Sequence, residues 1–502
     1  MLKSLLVKPF ASYIHQKVKK EAINALDLQM QTFKNLLQKA SKTYFGKNHE
    51  FSKIKTYEDY VNAVPIRDYE GLSEYITEML SGKENILWPG RPLYYAKTSG
   101  TTSGTKFIPI TKDSVSYHVG SARNALMCYI SQQGKTDLVN GKMIFLSGSP
   151  ELIQTNGVLT GRLSGIVNHH VPAYLRGNQL PSYQTNSIED WEQKLDAIVA
   201  ETKNQNMTLI SGIPPWVQMY FDKLLKQSNK ASIKDIFPNF NVFVYGGVNY
   251  EPYRAQIEKT IGKRIDSIET YPASEGFIAF QDDDYQNNTM GLLLLPNNGI
   301  FYEFIEADTF YSDQPKRIWL KDVEVGKNYV LILNTNAGLF GYNIGDTIKF
   351  LSINPYRIVV TGRIKHFISA FGEHVIGEEV EHALKVACSK LDVQVAEFTV
   401  APKVNVSEGE LPHHEWLIEF TIPPNDIKQF ELDIDNALCD KNAYYKDLII
   451  GNVLQPLKIR SVNSGSFIAY MKALDKLGGQ NKVPRLSNDR IIADHEAFNN
   501  KS

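Results

Sequence analysis

The sequence has little cysteine: Cys128, Cys388 and Cys439 in a chain of 502 residues. Three cysteines cannot build a disulfide framework, and their spacing fits no zinc motif, so a reducing compartment is expected. Neither charge is in excess. Lys plus Arg number 54 and Asp plus Glu 55, a net charge of -1. A protein that lives on phosphate-backbone contacts usually carries a basic surplus, so no nucleic-acid partner is expected. No stretch approaches the ~20 continuous apolar residues of a membrane-spanning helix; the best uncharged runs, 289–302 and 328–345, are broken by Pro, Gly or Asn. The first twenty residues look faintly like a signal peptide. Lys8 interrupts their apolar run and no small-residue cleavage site follows, so no membrane insertion and a cytoplasmic location are expected. The patterns G-x-S-x-G, H-E-x-x-H and G-x-G-x-x-G are all missing, which argues against α/β-hydrolases, zincins and Rossmann-type dinucleotide enzymes.

What is present is ordinary for a globular protein: 43% hydrophobic and 22% charged residues. Ile14, Val18, Ala22, Leu26, Met30, Phe33 and Leu37 recur at three to four residues, one face of a helix that Gly46 is expected to end. Thr56 with Asp59 reads as a capping box, stopped by Pro65. From about residue 140, strand-like runs (143–146, 207–213, 242–245, 264–271) alternate with helical ones (from Ser187 as cap, from Pro214–Pro215, and 251–261). That alternation predicts an α/β fold with a largely parallel sheet. Residues 290–362 are richer in strands and turns, as in a small barrel or an extra sheet. Near Gly362–Arg363 the character changes. Helices at 377–391, 427–438 and 467–477 alternate with strands at 395–401, 416–422 and 453–462, which predicts a smaller α+β domain.

Four segments carry candidate chemistry. The first, YAKTSGTTSGTKFIPIT, sets Thr98, Ser99, Thr101, Thr102, Ser103 and Thr105 around Gly100 and Gly104, with Lys106 after them. Glycines let peptide N–H groups turn toward an anion, hydroxyls add donors and Lys adds charge. This is phosphate-cradle chemistry without the Walker A order; the composition alone also fits a flexible polar loop. The second, ETYPASEGF, puts Tyr271, Ala273, Ser274 and Glu275 at a strand's carboxyl end, where a carboxylate can hold Mg²⁺; a solvated β-turn is the alternative. The third, GYNIGDTIKF, offers Asp346 to a ribose, or is simply a Gly-Asp turn. The fourth, GGQNKVPRL, places Lys482 in a glycine-led loop, where a lysine is ordinarily solvated. His366, His374 and His382, spaced by eight with glutamates between the last two, read as a solvated helix start or, less simply, a metal site.

Together these segments resemble the adenylate-forming superfamily of acyl-CoA synthetases, adenylation domains and firefly luciferase. More narrowly they resemble the Gretchen Hagen family of acyl-acid amido synthetases. Further stretches share the likeness: KTYFGKNHEF, VPIRDYEGLSEYI, ENILWPG, NTNAGLFGYNIGDTIKF, VTGRIKHFISAFGEHV and QNKVPR. The resemblance implies a large N-terminal α/β domain of mixed sheets with a small barrel-like part (1–362) and a smaller mobile α+β domain (363–502) hinged near 362–365. It implies that Thr98 to Lys106 hold ATP phosphates, and that Gly246, Gly247 and Val248 lie along the adenine. Tyr271 would flank the nucleotide in the segment that runs through Ala273 and Ser274 to Glu275, the Mg²⁺ ligand. Asp346 would bind the ribose with Arg363 as its neighbour, and Lys482 would be the catalytic lysine. One departure is visible: Asn343 stands where plant members usually have Arg. Arg123 falls near a helix that helps form the family's acyl pocket and is assigned no role.

The implied chemistry is consistent with these residue types. A carboxylate is a poor electrophile, and transfer to AMP supplies a leaving group that an amine or thiol can displace. Bringing that carboxylate to a triphosphate demands charge neutralisation by Mg²⁺, Lys482 and the Gly/Ser/Thr loop. The expected activity is therefore ATP- and Mg²⁺-dependent adenylation of a small carboxylic acid with transfer to an amine, an amino acid by preference, by a monomer. A thiol acceptor such as coenzyme A, and a non-catalytic nucleotide-binding scaffold or sensor, stay open.

Overall fold

The computed structural model describes residues 2–101, 104–171, 176–247, 250–310, 312, 314–364, 367–368, 370–373, 375–407, 409–474 and 483–498. The chain forms two compact units. One comprises Met1–Thr98, Lys106–Ile188 and Lys194–Ile364, the other Ser99–Thr105, Glu189–Gln193 and Lys365–Ser502. Among the described residues no helix is long and apolar enough to cross a membrane.

The first unit is built on a 12-stranded mixed sheet. Its parallel half runs Asp266–Ala273, Val242–Gly246, Met207–Ser211, Lys142–Phe145 and Gln179–Leu180, each hydrogen-bonded to the next. The middle strands are buried through their centres, Val242, Phe243, Leu209, Ile210 and Ile268 completely, as strands covered on both faces must be, while the edge strand Gln179–Leu180 is half-buried. Helices Pro214–Ser228 and Glu251–Ile261 return the chain between them, the first opened by prolines whose missing N–H is no loss at a helix start. The strand-rich stretch 290–362, expected as a small barrel or an extra sheet, supplies the antiparallel half of this same sheet. Gly276–Phe280 and Leu292–Leu294 join it to Tyr356–Arg363, Tyr342–Ile353, Asn328–Thr335, Ile300–Glu306 and Ile318–Trp319. A second, four-stranded sheet has the order Gly104–Ile110, Tyr94–Thr101, Val158–Gly161, Ile153–Thr155.

Two helix expectations need correction. The N-terminal apolar face is carried by two helices, Leu2–Ile23 and Ala25–Ala40, broken at Asn24. The break turns the stripe. Ala11, Ile14, Val18 and Ala22 are buried before it; Ala25, Gln29, Phe33, Leu36 and Leu37 are buried after it, while Leu26 is exposed. Buried Gln29 explains the shift: its amide donates to Pro296 O (2.9 Å) and Ile300 O (2.8 Å) and accepts from Tyr302 N (2.9 Å). Gly46 does not end the helix. It lies inside the short helix Tyr44–Asn48, where a Cβ would meet Ala40 O at 2.0 Å. The helix expected from Ser187 starts at Trp191, and Asp190 Oδ1 accepts from Gln193 N (2.8 Å) in the capping role. The Thr56–Asp59 capping box is present as expected.

The second unit has a three-stranded sheet, Gln394–Lys403, His413–Ile422 and Lys458–Ser461. Helices Gly377–Leu391, Ile427–Lys441 and Ser466–Ala473 follow the apolar spacing. Helix Ala443–Ile450, which buries Tyr445 and Leu448 and exposes Lys446 and Asp447, lies where no element is expected, and the strand expected at 453–462 is confined to Lys458–Ser461. Leu477, Gly478 and Gly479 lie outside the described residues.

Candidate active site

Two parallel strands, Val242–Gly246 and Asp266–Ala273, end side by side, Gly246 opposite Thr270. In parallel sheets such carboxyl ends are where ligands bind. Glycine is required at 246, because a Cβ there would meet Thr270 O at 2.4 Å; Gly247 turns away at φ +77, with nothing among the described residues within 4 Å of a Cβ. Past Tyr271 the chain reverses in a tight hairpin, Ala273 pairing with Gly276. Ser274 and Glu275 are the two turn residues, and Glu275 is nonetheless buried. A carboxylate held in a turn at a strand end, out of bulk water, is well placed to bind a hard cation through oxygen.

The third segment comes from the antiparallel half of the sheet. Between Asn343, opposite Ile332, and Thr347, opposite Val330, the strand Tyr342–Ile353 carries extra residues. Such a bulge re-aims side chains. Gly345 makes it possible at φ +90, and Asn343 stabilises it: its Oδ1 accepts from Gly345 N (2.8 Å), while its own N donates to Arg67 O (2.8 Å). Asn343, at the position that departs from the plant pattern, thus holds the turn in front of Asp346. Asp346 Oδ2 accepts from the hydroxyl of Tyr271 at 2.5 Å, across 75 residues of sequence. Arg363 pairs with Asp346 in the strand register.

Of the phosphate-loop candidates, Thr98, Ser99, Gly100 and Thr101 lie in the strand Tyr94–Thr101, and Gly104 and Lys106 in the strand Gly104–Ile110. Lys106 Nζ sits 5.7 Å from the Tyr69 ring centroid, and Tyr69's hydroxyl accepts from Phe107 N (2.9 Å). Thr102, Ser103, Val248 and Lys482 lie outside the described residues, as do His366 and His374. Among the described residues no group of His, Cys, Asp and Glu gathers for a metal. Arg123 lies over the Phe10 ring and bonds Asn124. Asn343 is the contributor that motif reasoning treated only as a departure. Its place two residues before a glycine, an Asx-type spacing, was the available signal.

Three models of one family match the chain in order: the GH3 family N-terminal domain over residues 14–197, its central domain over 292–363 and its C-terminal domain over 378–491. The chain belongs to the GH3 family. Among GH3 relatives, the jasmonoyl–L-amino acid synthetase JAR4 of Nicotiana attenuata is 22% identical over 91% of this chain and 90% of that protein. The indole-3-acetic acid-amido synthetase GH3.3 of Arabidopsis thaliana is 25% identical over 52% of this chain and 48% of its own length. A solved relative, the AtGH3.15 acyl acid amido synthetase in complex with 2,4-DB, superposes with a TM-score of 0.61 at 15% identity, covering 95% of this chain and 94% of that one. That likeness establishes the fold.

Proposed function

We propose that this GH3 protein is an ATP- and Mg²⁺-dependent ligase that joins a carboxylic acid to an amine, an amino acid by preference, through an acyl adenylate. The observation that carries the reading is the hydrogen bond from Tyr271 to Asp346, which unites two separate motifs beside the Gly246–Gly247 strand end. The donor set fits a nucleotide: among the described residues nothing fills the space over Gly247, Asp346 offers acceptor oxygens for ribose hydroxyls, and buried Glu275 offers a hard oxygen ligand for Mg²⁺.

In this reading Gly246, Gly247 and Val248 lie along the adenine and Tyr271 flanks it. Asp346 accepts from the ribose, fixed by the Tyr271 hydroxyl and neighboured by Arg363. Peptide N–H groups and hydroxyls of 98–104, with Ala273, Ser274 and Lys106, receive the phosphates. Mg²⁺ at Glu275 would neutralise triphosphate charge. Lys482 supplies the remaining positive charge as the substrate carboxylate attacks the α-phosphate and pyrophosphate leaves. The amine then displaces AMP at the acyl carbon. Residues 1–362 form the nucleotide- and acyl-binding domain and 363–502 the mobile one, hinged at 362–365. The protein works as a cytoplasmic monomer, and its partners are small molecules, not nucleic acid.

The test is ATP–pyrophosphate exchange with pooled carboxylic acids, wild type beside Lys482→Ala. Acid-dependent exchange lost in the variant supports the reading. AMP release that needs coenzyme A rather than an amino acid would make it an acid–thiol ligase. ATP binding without exchange for any acid would leave a sensor or scaffold.

A further inference from the structure

Just past Lys482, the described chain is fastened along the free edge of the small sheet. Val400 N donates to Arg485 O (3.0 Å), Ser487 N to Val400 O (2.9 Å) and Thr399 Oγ1 to Pro484 O (2.7 Å). Leu486 pairs with Val400 in parallel register. Val483 and Leu486 are buried, so this short strap is packed as well as hydrogen-bonded. Arg485 then reaches off the strap to two other elements. Its Nε donates to Glu381 Oε1 on helix Gly377–Leu391 (3.1 Å). Its Nη1 donates to Glu397 on strand Gln394–Lys403 and to Phe398 O (3.3 Å). The guanidinium lies 4.8 Å from the Phe398 ring centroid, and Phe398 stacks on buried Trp416 with rings 5.8 Å apart and 9° between planes.

The Arg485 side chain is 34% exposed, and ion pairs of that kind contribute only about 0–1 kcal/mol to stability. A planar fork held by two carboxylates, a carbonyl and a ring nevertheless fixes direction. It fixes the strap that begins at Val483, the residue that follows Lys482 in sequence. We infer that Arg485 is a positioning residue for Lys482: it fixes the strap that follows the lysine in sequence. The inference rests on the assignment of Lys482 made above.

The test compares the full-length wild type with Arg485→Ala, Arg485→Lys, Thr399→Val, Lys482→Ala and the Lys482→Ala/Arg485→Ala double variant. Exchange is measured with a pool of benzoate, indole-3-acetate, jasmonate and hexanoate. Misplacing a reacting group by about 1 Å costs roughly 10²-fold. Arg485→Ala is expected to lower kcat of exchange about 10- to 100-fold with KM for ATP within about threefold. Arg485→Lys, which keeps charge but loses the fork, and Thr399→Val, which removes only the bond to Pro484, are expected to lower it less, with melting temperatures near wild type. In the Lys482→Ala background Arg485→Ala is expected to cost nothing further, because both act through one group. Amide formation from synthetic acyl adenylates of the four acids is expected to be unaffected by Arg485→Ala, and a loss there as large as the loss of exchange would overturn the inference. Normal exchange in Arg485→Ala and Arg485→Lys with Lys482→Ala inactive, or a further loss in the double variant, overturns the inference alone. Wild-type protein inactive on the whole pool, or full exchange by Lys482→Ala, overturns the parent reading and the inference with it.

Discussion

Replacing Tyr271 by Phe removes one hydroxyl and leaves the ring that packs in the core. The hydroxyl donates to Asp346 Oδ2 at 2.5 Å, and Tyr271 itself is 8% exposed, so water replaces the bond poorly. A hydrogen bond to a charged group contributes roughly 1.5–3 kcal/mol. Each 1.4 kcal/mol is about tenfold in an equilibrium constant. If half of the bond's worth serves to aim Asp346 at the ribose, KM for ATP rises roughly three- to tenfold in Tyr271→Phe, with kcat within about threefold. The assay is initial-rate exchange against ATP concentration, alongside isothermal titration with a non-hydrolysable ATP analogue. Asp346→Ala sets the upper limit, and Tyr271→Phe adds nothing in that background. Unchanged ATP affinity in both single variants, with the fold intact by circular dichroism, would refute the assignment of this pair to the nucleotide.

Glu275→Gln should lose exchange by about 10²–10³-fold and need more Mg²⁺ to reach half-maximal rate; an unchanged Mg²⁺ titration would exclude it as the ligand. Ile364→Pro deletes the N–H that donates to Gly345 O (2.8 Å) at the proposed hinge, so overall turnover should fall more than ATP binding; equal losses would count against the hinge. Glu303 receives Arg317 at 2.7 Å and 2.9 Å, Tyr57 at 2.9 Å and Asn334 at 2.7 Å, all buried or nearly so. Glu303→Ala strands a buried guanidinium and should cost about 3–5 kcal/mol in urea unfolding. Burial pushes His118 down to about 4 from 6.5. The unfolded chain therefore binds more protons between those values, and this part of the stability is present above pH 6.5 and lost as pH falls to 4. Relative to His118→Phe, wild type should lose on the order of 3 kcal/mol across that window, and parallel stability curves would show His118 is not the group.

Much of this protein was legible in its chain. Periodicity placed helices at 251–261 and 377–391 where the structure has them, and the Thr56–Asp59 cap was readable because both of its bonds are local. The order of motif segments identified the family, since each retains its residue types wherever the fold puts them. What local pattern cannot carry is register. The break at Asn24, which exposes Leu26, follows from the polar partners that Gln29 finds 271 residues downstream, at Ile300, and nearby. The capping role passed from Ser187 to Asp190 because several oxygen-bearing residues compete there, and tertiary position chooses among them. Above all, Asp346 meets Tyr271 only because a bulge beside Asn343 re-aims one strand, while a hairpin holds the other. The sequence determined which groups are available for the chemistry; the pairing of strands, a long-range hydrogen-bonding choice, decided which of them meet.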